Sequence, residues 1–204
     1  MRGILMFKKI FSTFKSDEQI VNFYDEEIQK HIEAILGKSS DNVLHSPIPF
    51  QMGWDNGGRA DVYIYKNHIK GEAYLTADLI GEKQAKNAIG NYELMICHPE
   101  QQDWGANLIS NLAYYTLDAS LNSGETMDLG GNFLLEDSEI KALIFSKYAD
   151  FEVKGKKYGI LLLIGITSDE LNWAKENSGE ELISKLKEQG IYPITDLKRK
   201  SIIL

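Results

Sequence analysis

Apolar and polar positions along the chain divide it into segments of two different periods. Ile20, Phe23, Tyr24, Ile28, Ile32 and Ile35 recur at helical spacing, and Gly37 follows as a stop, so the pattern predicts an amphipathic helix over Asp17 to Leu36. KSSDN reads as a polar loop, and VLHSPIPF as an extended run held to an edge or loop by Pro47 and Pro49. MGWDNGGRAD is turn chemistry centred on Asn56-Gly57-Gly58. In ADVYIY, Val62 and Ile64 alternate with Tyr63 and Tyr65, which predicts a strand, and HIKGEAYLTADLI reads as its returning partner. YELMIC is a further strand.

The second half repeats the mixture. Leu108, Ile109, Leu112, Tyr115 and Leu117 predict a helix over Trp104 to Leu121. SGETMDLGGN reads as a loop, and FLLEDSEIKALIF and KKYGILLLIGI as strands. Ile160 to Ile166 is apolar without alternation, the pattern of a central strand buried on both faces. Thr167 and Glu170 form a capping box, which predicts helices over Asp169 to Asn177 and Gly179 to Gln189. Strands and helices alternate irregularly, which points to an α+β domain rather than a doubly wound sheet.

Composition narrows the class of function. The 204 residues suit one domain of generous size. A single cysteine excludes an internal disulfide and fits a reducing, cytoplasmic compartment. The formal net charge of −8, from 30 acidic and 22 basic residues, argues against nucleic acid as a partner, which needs Lys and Arg to neutralise phosphates. The basic-apolar start, MRGILMFKKIFSTFK, has its longest uncharged stretch before Lys8 at Gly3 to Phe7, short of a signal core of about 7–15 residues. No segment approaches the ~20 apolar residues of a membrane span, so stable membrane insertion is not expected.

Candidate chemistry thins out on inspection. Cys97-His98 would be a nucleophile and base only if both side chains met on one side. In a strand they point to opposite faces, with Leu94, Ile96 and His98 on one and Glu93, Met95 and Cys97 on the other. His31, His45, His68 and His98 lack the spacing of a helical zinc pair. Neither Gly53 to Gly58 nor Gly124 to Gly131 matches a phosphate loop. No GxSxG elbow is present. These absences predict a protein without catalytic residues, cofactor or metal. A buried, pKa-shifted carboxylate in a well-formed apolar pocket, near His98 or Glu93, would be the feature that revives an enzyme.

The order of segments resembles the suppressor-of-fused domain family. ADVYIY (60–65) is similar to an early strand of that family, and YLTADLIGEKQ (74–84) to its Thr-bearing turn. YELMICHP is similar to its Glu-Leu strand, with Trp104 opening the next helix. GILLLIGITSDELNWAKENSGEELISKL (159–186) and DLKRKSI (196–202) resemble its closing strand, helices and tail. Asp78 stands where the family pattern has glycine, and SGETMDLGG departs from its counterpart. The resemblance implies a mixed, largely antiparallel central sheet flanked by helices, in one domain over 17–204 behind an N-terminal extension over 1–16.

The animal family member is a two-domain, partner-binding regulator of Hedgehog signalling, whereas short bacterial members look like immunity proteins that block a cognate toxin. The resemblance therefore implies a bacterial protein-binding domain whose partner is a cognate protein toxin, of basic character if the acidic charge is used. A domain for a small ligand or peptide is the alternative. Trp54, Asp55, Asp78, Asp103 and Trp104, at loops and element ends, are the expected partner-binding residues.

Overall fold

The apolar run near the C-terminal third organises the sheet. In the computed structural model, which describes residues 26–40, 43–81, 83–99, 104–130 and 138–203, Ile160 to Ile166 form the inner half of a long strand, Lys156–Ile166. Numbered along the chain, the strands are β1 (Val43–Leu44), β2 (Val62–Tyr65), β3 (Glu72–Thr76), β4 (Asn91–His98), β5 (Thr126–Asp128), β6 (Ala142–Val153) and β7 (Lys156–Ile166). They make one seven-stranded sheet in the order β1-β2-β3-β4-β7-β6-β5. Only β4 and β7 pair in parallel among the described strands; the remaining neighbours are antiparallel.

The central position of β4 and β7 explains their composition. Helices cover both faces, so both sets of alternating side chains are buried, and every residue of β4 is buried. Each fully buried Leu or Ile there contributes about 1.5–3 kcal/mol. On one face, Met95, Leu162 and Ile164 meet α1 (Glu26–Leu36), α4 (Ser168–Glu176) and α5 (Gly179–Glu188). On the other, Leu94, Ile96, Leu161 and Leu163 meet α2 (Trp104–Leu112), with α3 (Tyr115–Asp118) beyond it. The core is therefore two apolar layers separated by a sheet.

Local chemistry sets the element ends. β6 and β7 join through Lys154 and Gly155, both left-handed at φ 52° and 75°. Two such residues make the tight turn whose twist matches antiparallel strands. The Thr167 capping box forms: its hydroxyl accepts from the Glu170 amide and Glu170 accepts from the Thr167 amide. Glu170 is completely buried and also takes a forked pair of bonds from Arg199, each 2.6 Å. Arg199 further donates to the Gly165 carbonyl at 2.8 Å. Burial alone would raise the Glu170 carboxyl, but Arg199 and the Thr167 and Ile202 amides hold it below the usual carboxylate range. This pair fixes the C-terminal segment, which read only as a family-like tail, across the end of β7.

Several expected bounds shift. The first helix is seen as Glu26–Leu36; residues 17–25 and the 1–16 extension lie outside the described residues. The helix expected over Trp104 to Leu121 breaks after Leu112, and α3 follows as a single turn. Within HIKGEAYLTADLI only Glu72–Thr76 is strand. Of FLLEDSEIKALIF, residues 133–137 lie outside the described residues and 142–145 open β6, which runs on through SKYADFEV to Val153. β5 lies inside the segment read as a loop.

Candidate functional site

The segment PFQMGWDNGG carries Trp54, the most exposed of the large hydrophobics among the described residues. Two single-turn 3-10 helices, Phe50–Met52 and Trp54–Asn56, are joined at Gly53, whose φ of 89° lets the chain reverse. Phe50 points inward and packs on Tyr114 with ring centroids 4.4 Å apart. The Tyr114 hydroxyl donates to the Phe50 carbonyl. The Asn56 side chain donates to the Met52 carbonyl at 2.7 Å. At Gly58 an added Cβ would lie 2.5 Å from the Pro49 carbonyl, so only glycine allows this close approach. Held from within, the turn leaves Trp54 70% exposed.

A hollow of about 570 Å³ opens beside Trp54. Its walls are Leu108, Asn111 and Leu112 of α2, then Tyr114, Tyr115, Leu117 and Asp118, then Met127, Asp128 and Leu129 on and after β5. A second hollow of about 480 Å³ shares Tyr115 and Met127 with the first and continues past Leu121, Glu125 and Phe145. The first lies on the α2 side of the sheet; the second reaches round the β5 edge, where Ala174 of α4 joins its lining. The large hydrophobics exposed among the described residues are Leu44, Ile48, Met52, Trp54 and Tyr115. The first four belong to the segment around the Trp54 turn. Tyr115, half exposed, faces the same hollow as Trp54.

The expected residues separate. Trp54 and Asp55 sit together on the exposed turn. Trp104 begins α2, where it is partly buried and meets His98 edge-on at 4.3 Å; it does not line either hollow. Asp103 lies outside the described residues. Asp78 is a correction: it is only 6% exposed, and its carboxylate accepts from the Asp61 amide at 2.7 Å. Asp61 in turn bonds His45 at 2.6 Å and accepts from the Ser46 amide at 2.8 Å. Where the family pattern has glycine, Asp78 thus ties the start of β2 to the turn after β3, and no surface role is left to it.

Sequence reasoning missed Tyr115, Asp118, Met127 and Asp128. Tyr115 was expected in the helix core. The signal was the adjacent pair Tyr114-Tyr115, since neighbours on a helix cannot both face inward.

Several polar groups are buried within the two core layers. Cys97 faces the α1 layer, while His98 meets Tyr74 and Trp104 in the other. The two side chains diverge, as their alternation predicts, and form no dyad. Burial pushes the Cys97 thiol up to about 12, far from a thiolate nucleophile. Burial lowers His98 to about 4, with the Thr195 backbone opposing in part. Glu93 accepts from the Thr76 hydroxyl at 2.5 Å and from the Leu79 and Ile80 amides at 2.9 and 2.8 Å. Its carboxylate stitches the turn after β3 to β4. Among the described residues no cluster of three or more His, Cys, Asp or Glu is placed to hold a metal ion. No described helix is long and apolar enough to cross a membrane.

Comparison with known proteins adds the family. A comparison with curated proteins yields no significant match. Among solved structures, the chain matches a chain of the Sufu–Fu complex with a TM-score of 0.68 at 12% identity, covering 86% of this chain and 91% of that one. It matches a suppressor-of-fused homologue from Neisseria gonorrhoeae with a TM-score of 0.60 at 19% identity, covering 89% and 97%. It also matches Drosophila Suppressor of Fused with a TM-score of 0.55 at 14% identity, covering 69% of this chain but only 42% of that longer one. The family model for suppressor of fused protein matches residues 74–200, from β3 through the buried Glu170–Arg199 pair, and the chain belongs to that family.

Proposed function

We propose that the chain is a non-catalytic protein-binding domain that docks its partner on the α2 face, and that it acts as an immunity protein, neutralising a cognate protein toxin in the cytoplasm. The observation that carries this reading is the gathering of exposed large hydrophobics at the Trp54 turn and Tyr115, beside an open hollow of about 570 Å³. Exposed apolar patches with polar rims mark interaction sites, and a Trp at the patch is a common anchor. The similar fold found in the Sufu–Fu complex supports a protein as the ligand. The absence of a Cys97–His98 dyad supports a role without covalent catalysis. Trp54 and Asp55 are retained as partner-contacting residues, and Trp104 contributes through the position of α2.

The experiment has two stages. Tagged protein captures its partner from native lysate, alongside the Trp54→Ala/Tyr115→Ala variant. Both substitutions are at exposed positions, so an unchanged Tm checks that the variant folds. The captured partner is then expressed alone and with the wild type. The expected result is growth arrest that the wild type relieves and the variant does not. A partner harmless on its own overturns the immunity reading. A partner held equally by the variant overturns the docking face.

A further inference from the structure

The two hollows that share Tyr115 and Met127 form one trough, and their linings hold carboxylates of a single sign. Asp118 and Asp128 line the first and Glu125 the second, all exposed, and among the described residues no Lys or Arg lines either. The floor of the first is apolar, built from Leu108, Leu112, Leu117, Met127 and Leu129. The chain as a whole carries a net charge of −8. We infer that this trough takes a basic segment of a partner protein in which an apolar anchor is flanked by Lys or Arg. The inference rests on the protein-binding reading above and specifies what occupies the site.

The division of labour follows from the exposure of each group. An apolar side chain settling between Tyr115 and Met127 leaves water, and this supplies most of the affinity. The rim carboxylates remain wet, so each ion pair they make adds little to affinity. Their larger effect is selective. They draw a cationic segment in, and they place like charges against an acidic one. A segment with lysines but no anchor would meet only the rim. One with an anchor flanked by glutamates would be repelled from it.

The test uses fluorescein-labelled synthetic peptides and anisotropy. The probe alternates Lys with Leu and Trp. One counterpart replaces each Lys by Glu, and a second replaces each Leu and Trp by Ser. The intact protein is expected to bind the probe at least about tenfold more tightly than either counterpart, and to lose about tenfold in affinity as salt rises from about 0.1 to about 1 M. The Asp118→Lys/Asp128→Lys variant, at exposed positions, is expected to lose the preference for Lys over Glu.

Equal binding of the Glu peptide, unchanged preference in the double variant, or no binding of any peptide overturns the inference. If that happens while the Trp54→Ala/Tyr115→Ala variant still releases the captured partner, only the charge and anchor assignment falls. If that variant retains the partner, the docking face falls with it.

Discussion

His98 shows how burial turns a common titrating group into an acid-sensitive one. Its ring is wedged between Tyr74, Trp104 and the backbone of α2, where a Cβ on Gly105 would lie 1.9 Å from Nε2. The proton is therefore refused until about pH 4, against an ordinary value of 6.5. Between these values the unfolded chain binds a proton that the folded chain does not, so stability falls as pH falls through that window. At about 1.4 kcal/mol per pKa unit, the loss amounts to about 3 kcal/mol. Glu170, held below its usual range, acts in the same direction at lower pH, so the difference between variants is what isolates His98. Urea unfolding of wild type and His98→Leu is expected to show similar stability at pH 7 and a gap opening in the variant's favour to about 3 kcal/mol at pH 4. Parallel pH curves would mean that His98 is not held neutral. The opposition of Cys97 and His98 was legible in the sequence because it follows from a period of two. The tasks of Asp78 and Glu93 were not, because their partners lie on other strands and turns.

At the scale of elements, legibility followed the strength of the local signal. The capping box fixed the start of α4, and the unbroken apolar run announced β7 as the buried centre. The outer half of β6 was hidden because SKYADFEV mixes exposed Lys147, Asp150 and Glu152 with partly buried positions and its strand character comes from pairing with β7. β5 was hidden for a similar reason: three residues beside glycines gain their conformation only from the neighbouring strand. The start of α5 offers a test in which propensity and packing oppose. Alanine is favoured over glycine within a helix by about 1 kcal/mol. A Cβ on Gly179, however, would lie 1.8 Å from the Gly124 carbonyl, which is backbone and has no rotamer to yield. Packing is expected to win: Gly179→Ala should destabilise by about 1–3 kcal/mol on thermal unfolding. A stabilised variant would show that the loop at Gly124, which also borders the trough, gives way freely.

At the scale of the whole molecule, the docking face is assembled from parts that no local pattern connects. Trp54 was identifiable because an aromatic in a glycine-rich turn is a natural surface anchor. Tyr115 and Met127 were not, because they meet only when α3 and β5 are folded against each other. The acidic balance was visible from composition, but its placement around the trough was not. Charge and anchor are expected to leave separate kinetic marks on association with the captured partner. Net charge acts over the Debye length, about 10 Å at 0.1 M salt and about 3 Å at 1 M, and so on encounter. Anchors act once the surfaces are in contact, and so on release. Surface-binding kinetics should therefore show the on-rate falling by about tenfold across that salt range with the off-rate nearly constant. Trp54→Ala should do the reverse, raising the off-rate by about tenfold with little change in on-rate. If salt instead acted mainly on the off-rate, the contacts holding the complex would be ion pairs, and the apolar trough would not be its anchor.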